Sequence, residues 1–464
     1  MADTVKVNSP YDGHLIREIE MDDELSSFEK LESAKKLARN PENSIPLHKR
    51  IEILERTADL IDSQKEDFSR QATQEGGKPL IDSRIELGRA VQGIREAVRS
   101  VNHIVGKEIS MGLTSSSANR KAFTIREPIG TVMAISAFNH PFNLIVHQVI
   151  PALAVGCPVI VKPALSTPIS CFNLVNALYE SGLPKKWCQT LLCSDKVAEK
   201  IATDPRTAFL TFIGSGKVGW SLRSKLAPGT RCALEHGGAA PVIIEADADI
   251  DDALPLLAKG GFYHAGQVCV SVQRVYVHET LAEEFSNKLA VIANSMIVGN
   301  PLNENTEIGP LISEANLKRI QQWVEEAIQE GATLVAGGNS ISSTCYRPTV
   351  LFNPADSSSI NCNEVFGPVI NIYSYKDRYE AIQRANSLRF SFQAAVFTKN
   401  LDVALDTAKR LNASAVMIND QTAFRVDWMP FAGYMESGLG VGGILPTMEE
   451  MTLEKMLVFR SPVL

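Results

Sequence analysis

Gly130-Thr131-Val132-Met133-Ala134-Ile135-Ser136-Ala137 is a short apolar run that opens on a glycine and leads into a helical stretch, Asn143 to Val155. The same alternation then repeats. Pro158 to Val161 reads as a short buried strand and Thr167 to Ser181 as a helix. Gln189 to Leu192 reads as a strand, Val197 to Thr203 as a helix, Ala208 to Phe212 as a strand, and a helix starts at Lys217. Short, continuously apolar strands between helices predict a parallel sheet covered on both faces. The expected fold class is therefore α/β, and this part of the chain has the dinucleotide-binding type of architecture.

Working outward, a second alternating block begins after Glu235. Pro241 to Ile244 and Arg274 to Val277 read as strands, and Asp251 to Gly260, Leu281 to Met296 and Glu314 to Glu330 as helices. Further strands are expected at Thr333 to Ala336, Arg347 to Leu351, Val369 to Tyr373 and Ala394 to Phe397. Upstream, His48 to Ala72 places Ile51, Leu54, Ala58 and Ile61 on one helical face until Gly76-Gly77-Lys78-Pro79. A second helix follows from Ile85 to Val105. Lys107 to Arg126 is polar and extended, with Ser115-Ser116-Ser117 as a turn, and reads as a protruding hairpin. The tail, Glu454 to Val463, is extended and apolar-rich, so it needs a sheet edge, which a partner subunit would supply. The expected division is residues 1–106 and 127–236 for a dinucleotide-binding domain, 237–445 for a catalytic domain, and 107–126 with 446–464 for an oligomerisation arm.

The 464 residues carry a net charge of -7 and no block of lysines and arginines, which disfavours nucleic acid and anionic membranes as partners. The N-terminus has no apolar core of the kind a secretory leader needs, and no apolar run is long enough to span a bilayer. A cytoplasmic protein is expected. None of the eight cysteines forms a CxxC pair, so most read as small buried side chains in a reducing compartment. No metal site is expected.

Cys269 stands apart because it closes Phe262-Tyr263-His264-Ala265-Gly266-Gln267-Val268-Cys269, 34 residues after Glu235 in Leu234-Glu235-His236-Gly237-Gly238. A thiol with a carboxylate is the minimum kit for covalent catalysis followed by hydrolysis. Other stretches join this pair: Ala137-Phe138-Asn139-His140-Pro141, Val161-Lys162-Pro163, and Phe212-Ile213-Gly214-Ser215-Gly216-Lys217-Val218-Gly219. So do Asn363-Glu364-Val365-Phe366-Gly367-Pro368 and Met429-Pro430-Phe431-Ala432-Gly433-Tyr434-Met435-Glu436-Ser437-Gly438-Leu439-Gly440. The glycine loop at Gly214 is neither a P-loop nor the common GxGxxG fingerprint. Taken singly, the asparagine reads as a helix cap, the glutamate as a surface carboxylate and the glycine loop as weak. In this order they resemble the aldehyde dehydrogenase superfamily, of the NAD(P)-dependent, hydrolytic, non-CoA-acylating type, from about Leu47 to the last residues.

The resemblance implies oxidation of an aldehyde to a carboxylic acid. Cys269 would add to the carbonyl carbon, giving a thiohemiacetal and then a thioester. Glu235 would deprotonate the water that hydrolyses it, and the Asn139 amide with the Cys269 N–H would hold the oxyanion. Asn139 stands 23 residues before Lys162, the spacing the family shows. The implied cofactor is NAD or NADP. Lys162 would hold the adenosine ribose, Gly214 and Ser215 the pyrophosphate, Glu364 the nicotinamide ribose, and Phe366 would pack near the ring. Ile135, Ser136, Ala137 and Phe138 would line the cofactor's path, as would Glu235. NAD-preferring members often carry Glu where this chain has Leu165, so a 2′-phosphate meets no repulsion there. His236 and His264 replace a Leu and an Asn of the family.

His140, Phe142, His147 and Arg425 fall in the loops that line the substrate tunnel of the family. Phe424-Arg425-Val426-Asp427-Trp428-Met429-Pro430 resembles loops of members acting on small polar or anionic semialdehydes. An arginine there suits a carboxylate, phosphate or sulfonate. The other reading is an Arg425–Asp427 ion pair or an ion pair at an interface. A CoA-acylating enzyme or a non-catalytic binding protein on the same fold are the alternatives. The family implies a homodimer or homotetramer.

Overall fold

A computed structural model describes residues 3–38 and 41–464. Met1 and Ala2, on which part of the reading of the N-terminus rests, lie outside the described residues.

The first alternating block folds into a six-stranded sheet. Its order is Gly438–Leu439, Arg231–Glu235, Phe209–Ile213, Val132–Ile135, Val159–Lys162, Cys188–Thr190. All neighbours are parallel except Gly438–Leu439, which runs antiparallel to Arg231–Glu235. Val132–Ile135 and Val159–Lys162 are buried along their whole length, because helices cover both faces. One cover is the helix Asn143–Val155, nearly all of whose residues are buried, with Ile169–Glu180 and Leu80–Ser100. The other is built by Leu31, Ala34, Ile201, Ala202 and Leu222. Chain order reverses between Val132–Ile135 and Phe209–Ile213. In register, Ile135 lies beside Lys162 and Phe212, and Ile213 beside Glu235, so these carboxyl ends form one rim. A crevice at such a rim is where α/β sheets bind ligands.

The second block is a seven-stranded sheet in the order Thr333–Ala336, Thr349–Phe352, Val369–Tyr375, Val272–His278, Ala240–Ile244, Gln393–Phe397, Ala415–Ile418. Only Thr333–Ala336 is antiparallel to its neighbour. The strands Arg231–Glu235 and Ala415–Ile418 had no counterpart in the sequence pattern. The short strand Gly438–Leu439, expected in the second domain, crosses over and closes an edge of the first sheet. An unpaired edge is a liability that proteins cover.

Two helical expectations change. The run from His48 divides into Leu47–Ser63 and Lys65–Gly76, with Gln64 out of helical geometry between them (ψ 17°). The next helix starts at Leu80, directly after Pro79, and ends at Ser100. Proline fits a helix start because it donates no N–H. The tail also differs from expectation. Thr452–Arg460 pairs with Arg120–Pro128 of the same chain over nine residues, and Glu108–Ile109 adds a third strand. The edge that the tail needs is thus supplied in cis. The strand leaves Met456 and Val458 exposed on one face and Phe459 on the other. Among the described residues, no helix is long and apolar enough to cross a membrane.

Candidate active site

Beyond Ile135 the chain turns through Ser136 to Asn139 before the helix at Asn143. The helix start is held by a buried carboxylate: the amides of Phe142 and Asn143 donate to Glu86 Oε1 at 2.9 and 3.0 Å. The other Glu86 oxygen accepts from the equally buried Lys78 Nζ at 2.5 Å. Glu75 does the same for the next helix, accepting from the amides of Ile169 and Ser170 at 2.8 Å. Burial pushes the Glu75 carboxyl up to about 7, so the charge-assisted figure of about 1.5–3 kcal/mol per bond belongs to the Glu86 contacts, which Lys78 also faces. They fix the loop that carries Asn139, whose Nδ2 donates to the Gln267 carbonyl at 2.8 Å.

The cysteine loop is held in unusual geometry. His264, Ala265 and Gly266 follow one another in the left-handed region, with φ of 50°, 53° and 67°. A Cβ at Gly266 would lie 2.1 Å from the Gly367 carbonyl oxygen, so only glycine fits there. Gln267 clamps the turn. Its Nε2 donates to the carbonyls of His264 and Pro310 at 3.2 and 3.3 Å, and its Oε1 accepts from Ile312 N at 2.9 Å. Non-glycine residues in this region cost about 1–3 kcal/mol each and persist where surrounding contacts over-determine them. The loop presents Cys269 half-buried. Burial, with Glu235 and Glu364 adding to it, pushes the thiol up.

Glu235 ends its strand, and its carbonyl accepts from Gly214 N at 3.0 Å. Burial raises its carboxyl to about 7, with Arg425 acting in the opposite direction. Gly237 is glycine because of a different carboxylate: a Cβ there would lie 1.7 Å from Glu364 Oε1. That oxygen is buried with no hydrogen-bond partner, and burial pushes Glu364 up to about 8. His236 lies against the glycine loop. Its Nδ1 donates to the Gly214 carbonyl at 3.0 Å, and its ring sits edge-on to Phe212 and Trp220. His264 is fully buried, edge-on to His140 at 6.1 Å, and burial lowers both imidazoles.

These groups share one cavity of about 1250 Å³. Of the expected residues, Asn139, His140, Glu235, Cys269 and Arg425 line it, with Ile135, Ser136, Ala137, Phe138, Lys162, Gly214, Ser215, Glu364 and Phe366. Phe142 and Leu165 do not. Phe142 is a correction: it is fully buried and stacked on Phe68 at 5.7 Å, because its position at the helix start turns it into the core. Leu165 is half-buried outside the lining, whereas Asp195 lies in it, with Oδ1 3.2 Å from Lys162 Nζ.

At the cysteine end the alternative reading, an Arg425–Asp427 pair, gives way to another arrangement. Asp427 is fully buried and accepts from Arg89 Nε and Nη2 at 3.2 and 3.0 Å, Asn143 Nδ2 at 3.1 Å and His147 Nε2 at 2.7 Å. Burial works against its charge, but the bonds from His147 and Arg89 outweigh that and hold the carboxyl below its usual range. Arg425 instead lies over the Phe431 ring at 3.8 Å, and its buried Nη1 has no hydrogen-bond partner. Burial brings the guanidinium down to about 10, so it stays charged near neutrality. Arg89 had no signal in the sequence.

The cavity fits a dinucleotide in two respects. The helix Gly216–Ser224 starts on it through Gly214 and Ser215, which suits a diphosphate, and the unpartnered Glu364 oxygen suits a ribose hydroxyl.

The sequence pattern of the aldehyde dehydrogenase family matches residues 1–457. The 3-sulfolactaldehyde dehydrogenase of Priestia megaterium is 37% identical over 417 residues, covering 90% of this chain and 87% of that protein. Aldehyde dehydrogenase 21 from Physcomitrella patens, solved with its reaction product succinate, superposes with a TM-score of 0.95 at 32% identity, covering 99% and 95% of the two chains. The glyceraldehyde-3-phosphate dehydrogenase GapN of Methanocaldococcus jannaschii, solved with NADP, superposes with a TM-score of 0.93 at 33% identity, covering 99% and 100%.

Proposed function

The chain belongs to the aldehyde dehydrogenase family, and from that premise we propose that it oxidises a small anionic aldehyde to the carboxylic acid, using NAD or NADP. The observation that carries the substrate class is Arg425, a charged guanidinium in the cavity wall whose buried Nη1 has no hydrogen-bond partner, in the same cavity as Cys269. The relatives' sulfonate, phosphate and carboxylate compounds are small anions of the kind such a group binds.

Cys269 gives up its thiol proton to solvent, a loss that burial makes uphill, and the sulfur adds to the aldehyde carbon. The Asn139 side-chain amide has two N–H donors; one is spent on Gln267, and the other is left for the oxyanion, alongside the Cys269 backbone N–H. Gly214, Ser215, Lys162 and Glu364 would hold the dinucleotide, whose nicotinamide takes up the hydride when bound. The adduct is then a thioester on sulfur. Glu235 removes a proton from water, the hydroxide displaces sulfur, and the acid leaves. A carboxyl near 7 suits that role at neutral pH. This base also favours hydrolysis over transfer to CoA.

Supporting features extend beyond the site. The two sheets support a cofactor unit of residues 1–106 and 127–236 and a catalytic unit of 237–445, whose strand Gly438–Leu439 returns to the first sheet. The exposed apolar side chains of the tail strand, in the arm formed by 107–126 and 446–464, support a homodimer or homotetramer. None of the eight cysteines stands in a CxxC pair, which supports a reducing, cytoplasmic setting.

The test is a panel of sulfonate-, phosphate- and carboxylate-bearing aldehydes beside uncharged ones of equal length, run with NAD and NADP. Faster turnover of uncharged aldehydes would sink the substrate class. Arg425→Ala is expected to raise KM for the anionic substrate roughly 10- to 100-fold, the loss of a charge-assisted contact. kcat should fall less than kcat/KM, since the contact lies away from the reacting carbon. Equal losses for charged and uncharged aldehydes would give Arg425 a structural role only.

A further inference from the structure

We infer that Asp195 is the cofactor-discriminating residue, selecting a dinucleotide with a free ribose 2′-hydroxyl over one with a 2′-phosphate. The inference rests on the reading that the cavity binds NAD or NADP.

The cavity has two ends with the helix start between them. Along the rim of the six-stranded sheet, Glu235 and then Gly214 leave the first two parallel strands, Ile135 follows, and Lys162 lies beyond it, with Asp195 after the last strand; Glu364 meets Gly237 on the Glu235 side. The reactive ring of a dinucleotide must meet the cysteine, and its diphosphate suits the helix start. The adenosine ribose then falls at the Lys162 end, on the carboxyl end of the strand Val159–Lys162.

The Lys162 side chain is only 6% exposed, while that of Asp195 is 92% exposed. The lysine is fixed in the wall and the carboxylate stands open beside it, 3.2 Å away. Together they offer an acceptor and a donor to a vicinal diol. Helix capping does not explain the carboxylate, because Ser194 is the cap and accepts from Val197 N at 3.4 Å. The other charges on this part of the lining are Lys196, Lys217 and Glu199. Glu199 is already matched by Lys225 Nζ at 2.9 Å. A 2′-phosphate would therefore meet the charge of Asp195 directly and would compete with it for Lys162. Without that charge, Lys162, Lys196 and Lys217 remain to attract the phosphate. Leu165, three positions after Lys162, is outside the lining.

The experiment compares 5′-AMP with 2′,5′-ADP, which differ only in the 2′-phosphate, by calorimetry on the wild-type protein and on Asp195→Asn at fixed salt. Wild type is expected to bind 5′-AMP roughly tenfold tighter. The variant is expected to shift the ratio at least about tenfold towards 2′,5′-ADP, with a parallel shift in the kcat/KM ratio for NAD and NADP. A wild-type preference for 2′,5′-ADP, or an unchanged ratio in the variant, overturns the assignment while leaving the dehydrogenase reading intact. Failure of both fragments to bind, with neither cofactor reduced, would remove the dehydrogenase reading and this inference together.

Discussion

Cys269→Ala is expected to lose steady-state aldehyde oxidation by roughly 10⁴-fold or more, the scale seen when a covalent nucleophile is removed. No other thiol among the described residues lines the cavity that holds Glu235 and Asn139. Cofactor binding should persist, because Lys162, Gly214, Ser215 and Glu364 are untouched. Trp323 lines the same cavity, so quenching of tryptophan fluorescence by the dinucleotide can report this separately. Residual turnover above about 1% of wild type would remove Cys269 from the nucleophile's place.

Glu235→Gln should separate the two halves of the reaction. The first turnover proceeds and the thioester accumulates, so rapid mixing shows a burst of reduced cofactor followed by a steady state roughly 10²- to 10⁴-fold slower. The wild-type pH profile carries the same information. With its carboxyl raised to about 7, Glu235 is protonated at lower pH and cannot accept a proton. Deacylation-limited turnover should then rise about tenfold per pH unit up to about 7 and level off above it. In Glu235→Gln that limb should vanish. A missing burst would mean that Glu235 acts earlier, as the base for Cys269.

What could be read from the sequence was whatever lies close along the chain. Asn139, Glu235, Cys269 and Glu364 each sit at the end of a strand or in a tight loop, and their neighbours carry the pattern. The Val132–Ile135 and Val159–Lys162 strands were visible because burial on both faces leaves no polar residue in them except the terminal lysine. What could not be read depends on distant pairing. The Arg89–Asp427 contact spans 338 residues, and nothing local to either residue announces it. The position three residues after Lys162 is a leucine, and the carboxylate beside the lysine is Asp195, which reaches it from the exit of the neighbouring strand. The burial of Glu75, Lys78 and Glu86 was not legible either, because the partners of the two carboxylates, Ser170, Phe142 and Asn143, lie 56 or more residues away along the chain. Phe142 carried a tunnel position in the motif, yet its direction is set by the helix start, which periodicity places only loosely. The apparent single helix from His48 hid a break at Gln64, since glutamine gives no stop signal.

The arm also sets a timetable for synthesis. Thr124 Oγ1 donates to Glu454 across 330 residues, within the strand pair that joins Arg120–Pro128 to Thr452–Arg460. At about 5–20 residues per second, a ribosome takes roughly 15 to 70 s to make the intervening chain. During that interval both α/β sheets can assemble, while Arg120–Pro128 has only the two residues of Glu108–Ile109 to pair with. Nascent chains on one messenger therefore carry a long open strand edge at the same moment. That segment is the part of the molecule most exposed to mispairing before the final strand emerges.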